Sequence, residues 1–384
     1  MTHRVALVRC ESYEPPVLER SLKKLLNFLG GIGEFVKSGE RVLIKINLLS
    51  GAPPEKAVTT HPNLVEAIIG LVKEAGGIPA IGDSPGERTT LTGLARAYRA
   101  AGLEEVSRRT GAPLLSFEND VMKVENSEGH LYKKFTVTKR IKDFDVIISL
   151  PKLKTHPLTY FTGAVKNNLG FIPGLRKSEF HLKLPDRESF SGMLVDLLGA
   201  IGINLVIMDG IVAMEGNGPY SGAPRKVGAI LASRNPAALD FVACRLIGYE
   251  NPLDVPTNRM AVERRILLPG NIEILGEKIE DTQVKDFKRI PQDASQGIPR
   301  FLLKWLKGLL SPKPKIIDKL CNLCSSCVEN CPVKCMKIDR DGRISIDYSD
   351  CIRCFCCQEF CPEGAIVTER HLLANLFSGA ERLV

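Results

Sequence analysis

Short, unbroken apolar runs punctuate the first two thirds of the chain, at Arg4–Cys10 (RVALVRC), Arg41–Ile46 (RVLIKI), Ile78–Ile81, Val146–Leu150 (VIISL), Leu205–Met208 and Val227–Leu231. A strand with one wet face alternates polar and apolar residues, whereas an unbroken run suits a strand buried on both faces, as in a parallel sheet. Helical periods lie between the runs. From Pro16 to about Leu29, residues Val17, Leu18, Leu22, Leu25, Leu26 and Leu29 fall on one side. Pro62–Ala75 stacks Leu64, Ile68, Leu71, Val72 and Ala75 in one stripe and stops at Gly76-Gly77, and Pro236–Gly248 follows Asn235 as N-cap. This alternation predicts an α/β fold, a mostly parallel sheet with flanking helices. It is interrupted at 121–138, where VMKVE, NSEGH and LYKKFTV predict a β-hairpin, and it fades after about residue 270.

Composition narrows the class. The chain has 384 residues, 44% hydrophobic and 25% charged, which is ordinary for a globular protein. No apolar run approaches the roughly 18 residues of a transmembrane segment, and MTHRVALVRC leads straight into a strand with no secretory signal pattern. The net charge of +8 admits an anionic substrate or acidic partner. Aromatic residues are few and not interleaved with a basic patch, so no nucleic-acid role is expected. Twelve cysteines, ten of them within 321–361, and no signal sequence point to metal ligation in a reducing cytoplasm, rather than to disulfides.

Eight of those twelve cysteines stand in two matched frames, CNLCSSCVENCP from Cys321 and CIRCFCCQEFCP from Cys351, thirty residues apart. The pattern C-x-x-C-x-x-C-x-x-x-C-P, present twice, resembles the bacterial ferredoxins that carry two 4Fe–4S clusters. Zinc sites close at four ligands, with cysteine pairs or Cys/His mixtures, and fit these runs poorly. In two-cluster ferredoxins the fourth cysteine of each run crosses to the other cluster. That resemblance implies one cluster on Cys321, Cys324, Cys327 and Cys361, and a second on Cys351, Cys354, Cys357 and Cys331. Cys335 occupies the place of Ala365 in the repeat and is expected to pack rather than ligate; Cys356 is expected to be a bystander. The expected organisation is an α/β domain over 1–284, then a linker over 285–315 with an amphipathic helix at Ile298–Leu310. A small α+β ferredoxin-like domain over 316–370 and a terminal helix or tail over 371–384 follow.

In an open parallel sheet, ligands bind outside the carboxyl ends of the strands. The residues following the predicted strands there are Asn47 (with Lys45 just before it), His61, Asp83 and Ser84, Lys152, Lys154 and His156, and Asp209, Glu215 and Asn217. The small, polar stretch Thr162–Gly170, with Lys166 and Asn167, suits close backbone approach. The lysines are candidate anion ligands, His61, His156 and His181 candidate proton donors or metal ligands, and Asp83, Asp209 and Glu215 could orient them or bind a metal. Neither a complete dinucleotide fingerprint nor a P-loop occurs.

The runs PKLKTHPLTYFTGAVKNNLG, DGIVAMEGNGPYSGAP and NPAALDFVACRLIG, with THPNLVEAI and IGDSPG upstream, resemble the domain of unknown function (DUF) family 362. Relatives commonly show Lys-Pro-Asn where this chain has Lys45-Ile46-Asn47, and members often carry a ferredoxin module at one end. The resemblance implies that these stretches belong together, and it names no reaction. The leading expectation is an iron–sulfur oxidoreductase acting on an anionic substrate or bound cofactor. In it, His156 or His181 is the proton donor and Lys152, Lys154 and Lys166 form an anion clamp. Lys45, Asn47, His61, Asp83, Ser84, Asn167, Asp209, Glu215 and Asn217 complete the site. The alternatives are a non-catalytic electron-transfer subunit docking on a redox partner protein, and a metal- or cofactor-handling protein using His61, His156, Asp83 and Glu215.

Overall fold

The structure is a computed structural model and describes residues 2–86, 90–174, 176–184, 186–290 and 312–369. The amphipathic helix expected at 298–310 and the tail at 371–384 lie outside the described residues.

The large domain begins with β1 (His3–Arg9), helix α1 (Pro15–Asn27), β2 (Arg41–Lys45), α2 (Pro62–Glu74) and β3 (Ile78–Asp83). Helices α3 (Leu91–Ala100) and α4 (Leu103–Thr110) lead to β4 (Leu114–Ser116), and β5 (Val121–Glu125) with β6 (Lys134–Thr138) form the expected hairpin as a separate two-stranded sheet. Then come β7 (Val146–Ser149), β8 (Lys152–His156), β9 (Tyr160–Thr162), α5 (Ala164–Asn167), α6 (Arg176–Lys183) and α7 (Arg187–Ala200). The domain closes with β10 (Leu205–Glu215), β11 (Ala223–Ser233), α8 (Pro236–Leu246) and β12 (Ile272–Gly276). The main sheet runs β12-β1-β11-β10-β7-β2-β3-β4, with β8 added beside β10 and β9 beside β8.

Most pairings are parallel, and both faces are covered. On β2, Leu43 packs into one hydrophobic core while Val42 and Ile44 pack into the other, which is why the run shows no alternation. Two expectations need correction. Strand β11 is antiparallel to both neighbours, β1 and β10, because continuous apolarity reports burial and not direction. Strand β10 continues well past Met208 to Glu215, since β8 and β11 keep supplying partners there; Glu215 therefore closes a strand instead of following one.

The small domain pairs β13 (Lys313–Ile316) with β16 (Ile366–Glu369) and β14 (Met336–Ile338) with β15 (Ile344–Ile346). The end of the expected linker, 313–315, thus belongs to an edge strand of this domain; Pro is tolerated on an edge because no second neighbour needs its missing N–H. The sequence repeat is also a backbone repeat. Left-handed residues recur thirty positions apart at Leu323 and Arg353, Ser325 and Phe355, and Lys334 and Gly364, so both cysteine loops turn inward in the same way.

A candidate site between the α/β domain and the cysteine-rich domain

The thiols divide into two groups. Cys321, Cys324, Cys327 and Cys361 line one small cavity with Ile316, Ile344 and Ile366. Cys331, Cys351, Cys354 and Cys357 line another with Pro314, Met336, Ile346 and Phe355. This is the crossed grouping implied by the ferredoxin resemblance, and two apolar cavities, one bordered by four thiols and the other by four plus Cys335, fit two 4Fe–4S clusters. Cys335 borders the second cavity as Ala365 borders the first, with its Sγ 3.5 Å from that of Cys331. Cys356 is buried against Cys354 and Phe360 and lines neither cavity. The two groups differ in exposure: Cys324 is exposed, whereas Cys354 and Cys357 are buried.

At the carboxyl ends of the central strands the expected site residues separate into two assemblies. The first is a closed knot. Register places Lys152 of β8 beside Asp209 of β10, and Lys152 Nζ lies 2.9 Å from Asp209 Oδ2 with both side chains almost fully buried. Tyr13 donates to Asp209 Oδ1 at 2.6 Å and accepts from Lys152 at 2.9 Å, while the His61 N–H donates to Asp209 Oδ2 at 2.9 Å. The His61 ring stacks on Tyr13 at 3.6 Å. Burial lowers the pKa of Lys152, and that of His61 to about 4. The side-chain polar groups of Lys152, Tyr13 and Asp209 point at one another, which makes the knot a structural element. Lys152 is therefore not part of an open clamp.

The second assembly surrounds a cavity. Lys45 Nζ lies 2.7 Å from Asp83 Oδ1 with both side chains buried. Asp83 also accepts the N–H groups of Leu48 and Ser84, each at 2.7 Å. Asn167 bridges Asn47 at 3.3 Å and Ser149 at 3.0 Å. It is brought there by α5, whose first N–H groups, of Ala164 and Val165, are accepted by the buried Asp240 carboxylate of α8 at 2.6 and 2.9 Å. Gly163 and Gly170 are required: a Cβ at the first would overlap Asp240, and one at the second would overlap Asp83 and Lys45. Lys177 of α6 donates to the Ser84 carbonyl at 2.7 Å, to the Ser84 hydroxyl at 2.6 Å and to the Pro85 carbonyl. Lys154 donates to the Val58 carbonyl at 2.7 Å, and burial, reinforced by Lys166, lowers its pKa to about 7.

The cysteine-rich domain supplies the remaining wall. Its helical turn Cys356–Glu359 projects Glu359 into the crevice, where Oε1 meets His156 Nε2 at 2.5 Å and lies 3.9 Å from Lys166 Nζ. His156 Nδ1 accepts the N–H groups of Leu158 at 3.0 Å and Thr159 at 3.3 Å, so the proton sits on Nε2 and is donated to Glu359. Burial, with Lys166 nearby, lowers the His156 pKa to about 4, in keeping with a neutral ring. Burial disfavours charge on Glu359, but Lys166, His156 and His181 outweigh it and hold the carboxyl below its usual range. Beside this pair, Gln358 Nε2 donates to Asn217 Oδ1 at 2.8 Å. The resulting cavity, of about 60 Å³, is bordered by Lys166, Lys177, His181, Asp83, Glu359 and Phe360, with Asn47, Ser84, Thr162 and Asn167. His181 stacks on Phe190 at 4.3 Å, and burial lowers its pKa to about 4.

Of the expected residues, Asn47, Asp83, Ser84, Lys166, Asn167 and His181 line this cavity, with Lys45 and His156 directly behind their partners Asp83 and Glu359. Lys152, His61 and Asp209 form the separate knot. Glu215 accepts the Lys288 N–H at 2.9 Å, and Asn217 serves the domain contact. Among the described residues no group of three or more His, Cys, Asp or Glu side chains converges as a single-metal site, so His61, His156, Asp83 and Glu215 are not gathered. Sequence reading missed Tyr13, Lys177, Asp240 and Glu359. Only Glu359 had a local signal, a carboxylate midway between two cysteines of one run; the others reach the site through tertiary packing.

Comparison with known proteins matches residues 42–245 to the domain of unknown function DUF362, and residues 313–362 to a 4Fe–4S dicluster domain. A thylakoid-associated protein of Synechocystis sp. is 40% identical over 268 residues, which is 69% of this chain and 80% of that protein. An uncharacterised ferredoxin of Methanocaldococcus jannaschii is 37% identical over 46 residues, 12% of this chain and 74% of its own length. The lactate racemase apoprotein of Thermoanaerobacterium thermosaccharolyticum superposes with a TM-score of 0.39 at 18% identity, covering 63% of this chain and 56% of that one. This chain therefore spans little more than half of that solved structure.

Proposed function

The chain belongs to the DUF362 family and carries a 4Fe–4S dicluster ferredoxin domain behind it; from that premise we propose an iron–sulfur oxidoreductase whose substrate site is the crevice between the two domains. When bound, the two clusters supply single electrons to, or take them from, an anionic substrate or cofactor held there. The observation that carries this reading is the shared wall. Glu359 and Phe360 stand between Cys357, assigned to one cluster, and Cys361, assigned to the other, and both border the same cavity as Lys166 and His181. A redox module that only passed electrons onward would have no reason to complete a polar, cation-rich cavity in its neighbour.

The residues take distinct parts. Lys166 and Lys177 supply positive charge, and Asn47, Thr162 and Asn167 supply amide and hydroxyl groups. His181 is the proton-carrying group nearest a bound molecule, since His156 already donates its proton to Glu359. Asp240 is a positioning residue that caps α5 and so aims Lys166 and Asn167. The thiol-rich composition calls for a reducing compartment, and we place the protein in the cytoplasm. Among the described residues no helix is long and apolar enough to cross a membrane.

A second reading, an electron-transfer subunit that docks on a partner enzyme, draws on the exposure of Cys324 with Leu320 and Leu323 beside it. One experiment separates the two. Anaerobically reduced protein is mixed with small-molecule and protein fractions of a cell extract, and cluster reoxidation is followed by visible absorbance in wild type and in Lys166→Met. Reoxidation by a small-molecule fraction, slowed in the variant, supports the oxidoreductase. Reoxidation by protein fractions alone, indifferent to the variant, supports the subunit.

A further inference from the structure

Among the described residues, Lys166 is the one lysine bordering the cavity that makes no side-chain hydrogen bond. Its side chain is 9% exposed, and among the described residues its ammonium makes no hydrogen bond; the nearest carboxylate oxygen, of Glu359, is 3.9 Å away. Each neighbouring buried lysine is satisfied: Lys45 by Asp83 and the Ile46 carbonyl, Lys154 by the Val58 carbonyl, and Lys177 by three oxygens of Ser84 and Pro85. An ammonium withdrawn from water with no hydrogen bond and only a 3.9 Å ion pair is incompletely compensated, so such a group marks a place where an anion can bind. Three more buried polar atoms on residues of the same wall have no partner: Asn47 Oδ1, Thr162 Oγ1 and His181 Nδ1.

The missing group is an anion. Both carboxylates of the wall are already engaged, Asp83 by Lys45 and two backbone N–H groups, and Glu359 by the neutral His156 ring and, at 3.9 Å, by Lys166. Three lysines at this wall, Lys45, Lys166 and Lys177, thus face two carboxylates, Asp83 and Glu359, which leaves one positive charge in excess beside the unpartnered Thr162 hydroxyl. Size is bounded too. A water-sized group needs roughly 10–15 Å³, so a cavity of about 60 Å³ holds on the order of four to six non-hydrogen atoms. Leu48, Leu49, Leu169 and Phe360 give it an apolar side, which suits a short carbon chain behind the charged head.

Taking the crevice as the substrate site, we infer that it binds a short-chain carboxylate of about four to six non-hydrogen atoms, headed onto Lys166, with Glu359 as a built-in competitor for the same ammonium. The competitor gives the inference an unusual sign: removing a charge from the site should tighten binding.

Isothermal titration of the anaerobic, cluster-loaded full chain tests this. The probes are sodium acetate and sodium propionate, with hexanoate as an oversized acid and guanidinium as a size-matched cation. Acetate and propionate should bind at one site, hexanoate and guanidinium should not, and Lys166→Met should weaken acetate by at least about ten-fold, the scale of a hydrogen bond to a charged group. Lys166→Arg should retain most of the affinity, and Glu359→Gln should gain several-fold. Iron content and visible spectrum, unchanged in each variant, show that the cluster domain is intact. The inference is overturned if neither wild type nor Glu359→Gln binds acetate or propionate, if Lys166→Met binds them as well as wild type, or if guanidinium binds in preference. Binding is read without turnover, so the two failures separate. Carboxylate binding without any redox reaction overturns the oxidoreductase and leaves the carboxylate site standing, whereas turnover of a substrate that acetate does not displace does the reverse.

Discussion

Asp209→Asn isolates the part of the strand-end apparatus that is structural. The substitution keeps the shape and removes the charge from a side chain that is fully buried and accepts from Lys152, Tyr13 and the His61 N–H. It strands the Lys152 ammonium without a counter-charge and turns an amide N–H₂ toward donors. Breaking a buried ion pair by altering one partner costs about 3–5 kcal/mol. With a urea dependence of about 3 kcal/mol per molar or somewhat more for a domain of this size, the unfolding midpoint should fall by roughly 1 M. Far-UV circular dichroism against urea measures it, with Glu105→Gln as control, because Glu105 and its partner Arg108 are both well exposed and such pairs contribute little. Adding Lys152→Met to Asp209→Asn removes the stranded charge and should recover part of the loss. Acetate affinity should stay within about two-fold throughout, well under the ten-fold scale of a charged hydrogen bond, because Lys152 does not border the cavity. A midpoint shift no larger than that of the control, or no recovery in the double variant, would refute the knot as described.

Two further outcomes follow from the same geometry. Burial is the chief cause that lowers the pKa of His61, His156 and His181 to about 4 in the folded chain, against about 6.5 for an unperturbed histidine. The unfolded chain then takes up protons first on acidification. Their contribution is complete above pH 6.5 and is lost as the pH falls towards about 4, each fully buried histidine steepening the decline by up to about 1.4 kcal/mol per pH unit. His181→Asn should flatten the urea midpoint between pH 7 and pH 5 relative to wild type, and an unchanged slope would sink the assignment. Removing iron should unfold the cysteine-rich domain, whose core is largely cysteine with Met336, Ile344, Ala365 and Ile366. Hydrogen exchange should then rise over 352–366 and along the His156 strand it covers, while β2 and β3 stay protected; uniform protection after chelation would contradict this.

The fold was legible where burial writes itself into sequence. Unbroken runs such as VLIK and VIIS announced two-sided burial, and the hairpin at 121–138 announced itself by two strand-like runs around the turn sequence NSEGH. Strand direction was not legible: β11 carries the same kind of run as β2 yet lies antiparallel, and only its pairing with β1 and β10 reveals that. The cysteine frames were the clearest feature of all, because ligand spacing is a local property. The crevice was legible as a list of polar residues after strands, and that list mixed two assemblies. Lys152 and Lys166 look alike in sequence; one is locked to Asp209 and the other is left facing a cavity, a distinction set by which strand neighbours which. Glu359 went unread because its role depends on how one domain sits against the other.

The most direct measurement is electron–nuclear double resonance on the partly reduced, cluster-loaded protein titrated with isotopically labelled acetate. A hyperfine coupling between cluster and label, present in wild type and lost in Lys166→Met, is the expected result, because the carboxylate would lie in a cavity walled by Glu359 and Phe360, between cysteines of the two cluster groups. Saturating acetate with no coupling in wild type would contradict the claim that the crevice joins substrate to clusters.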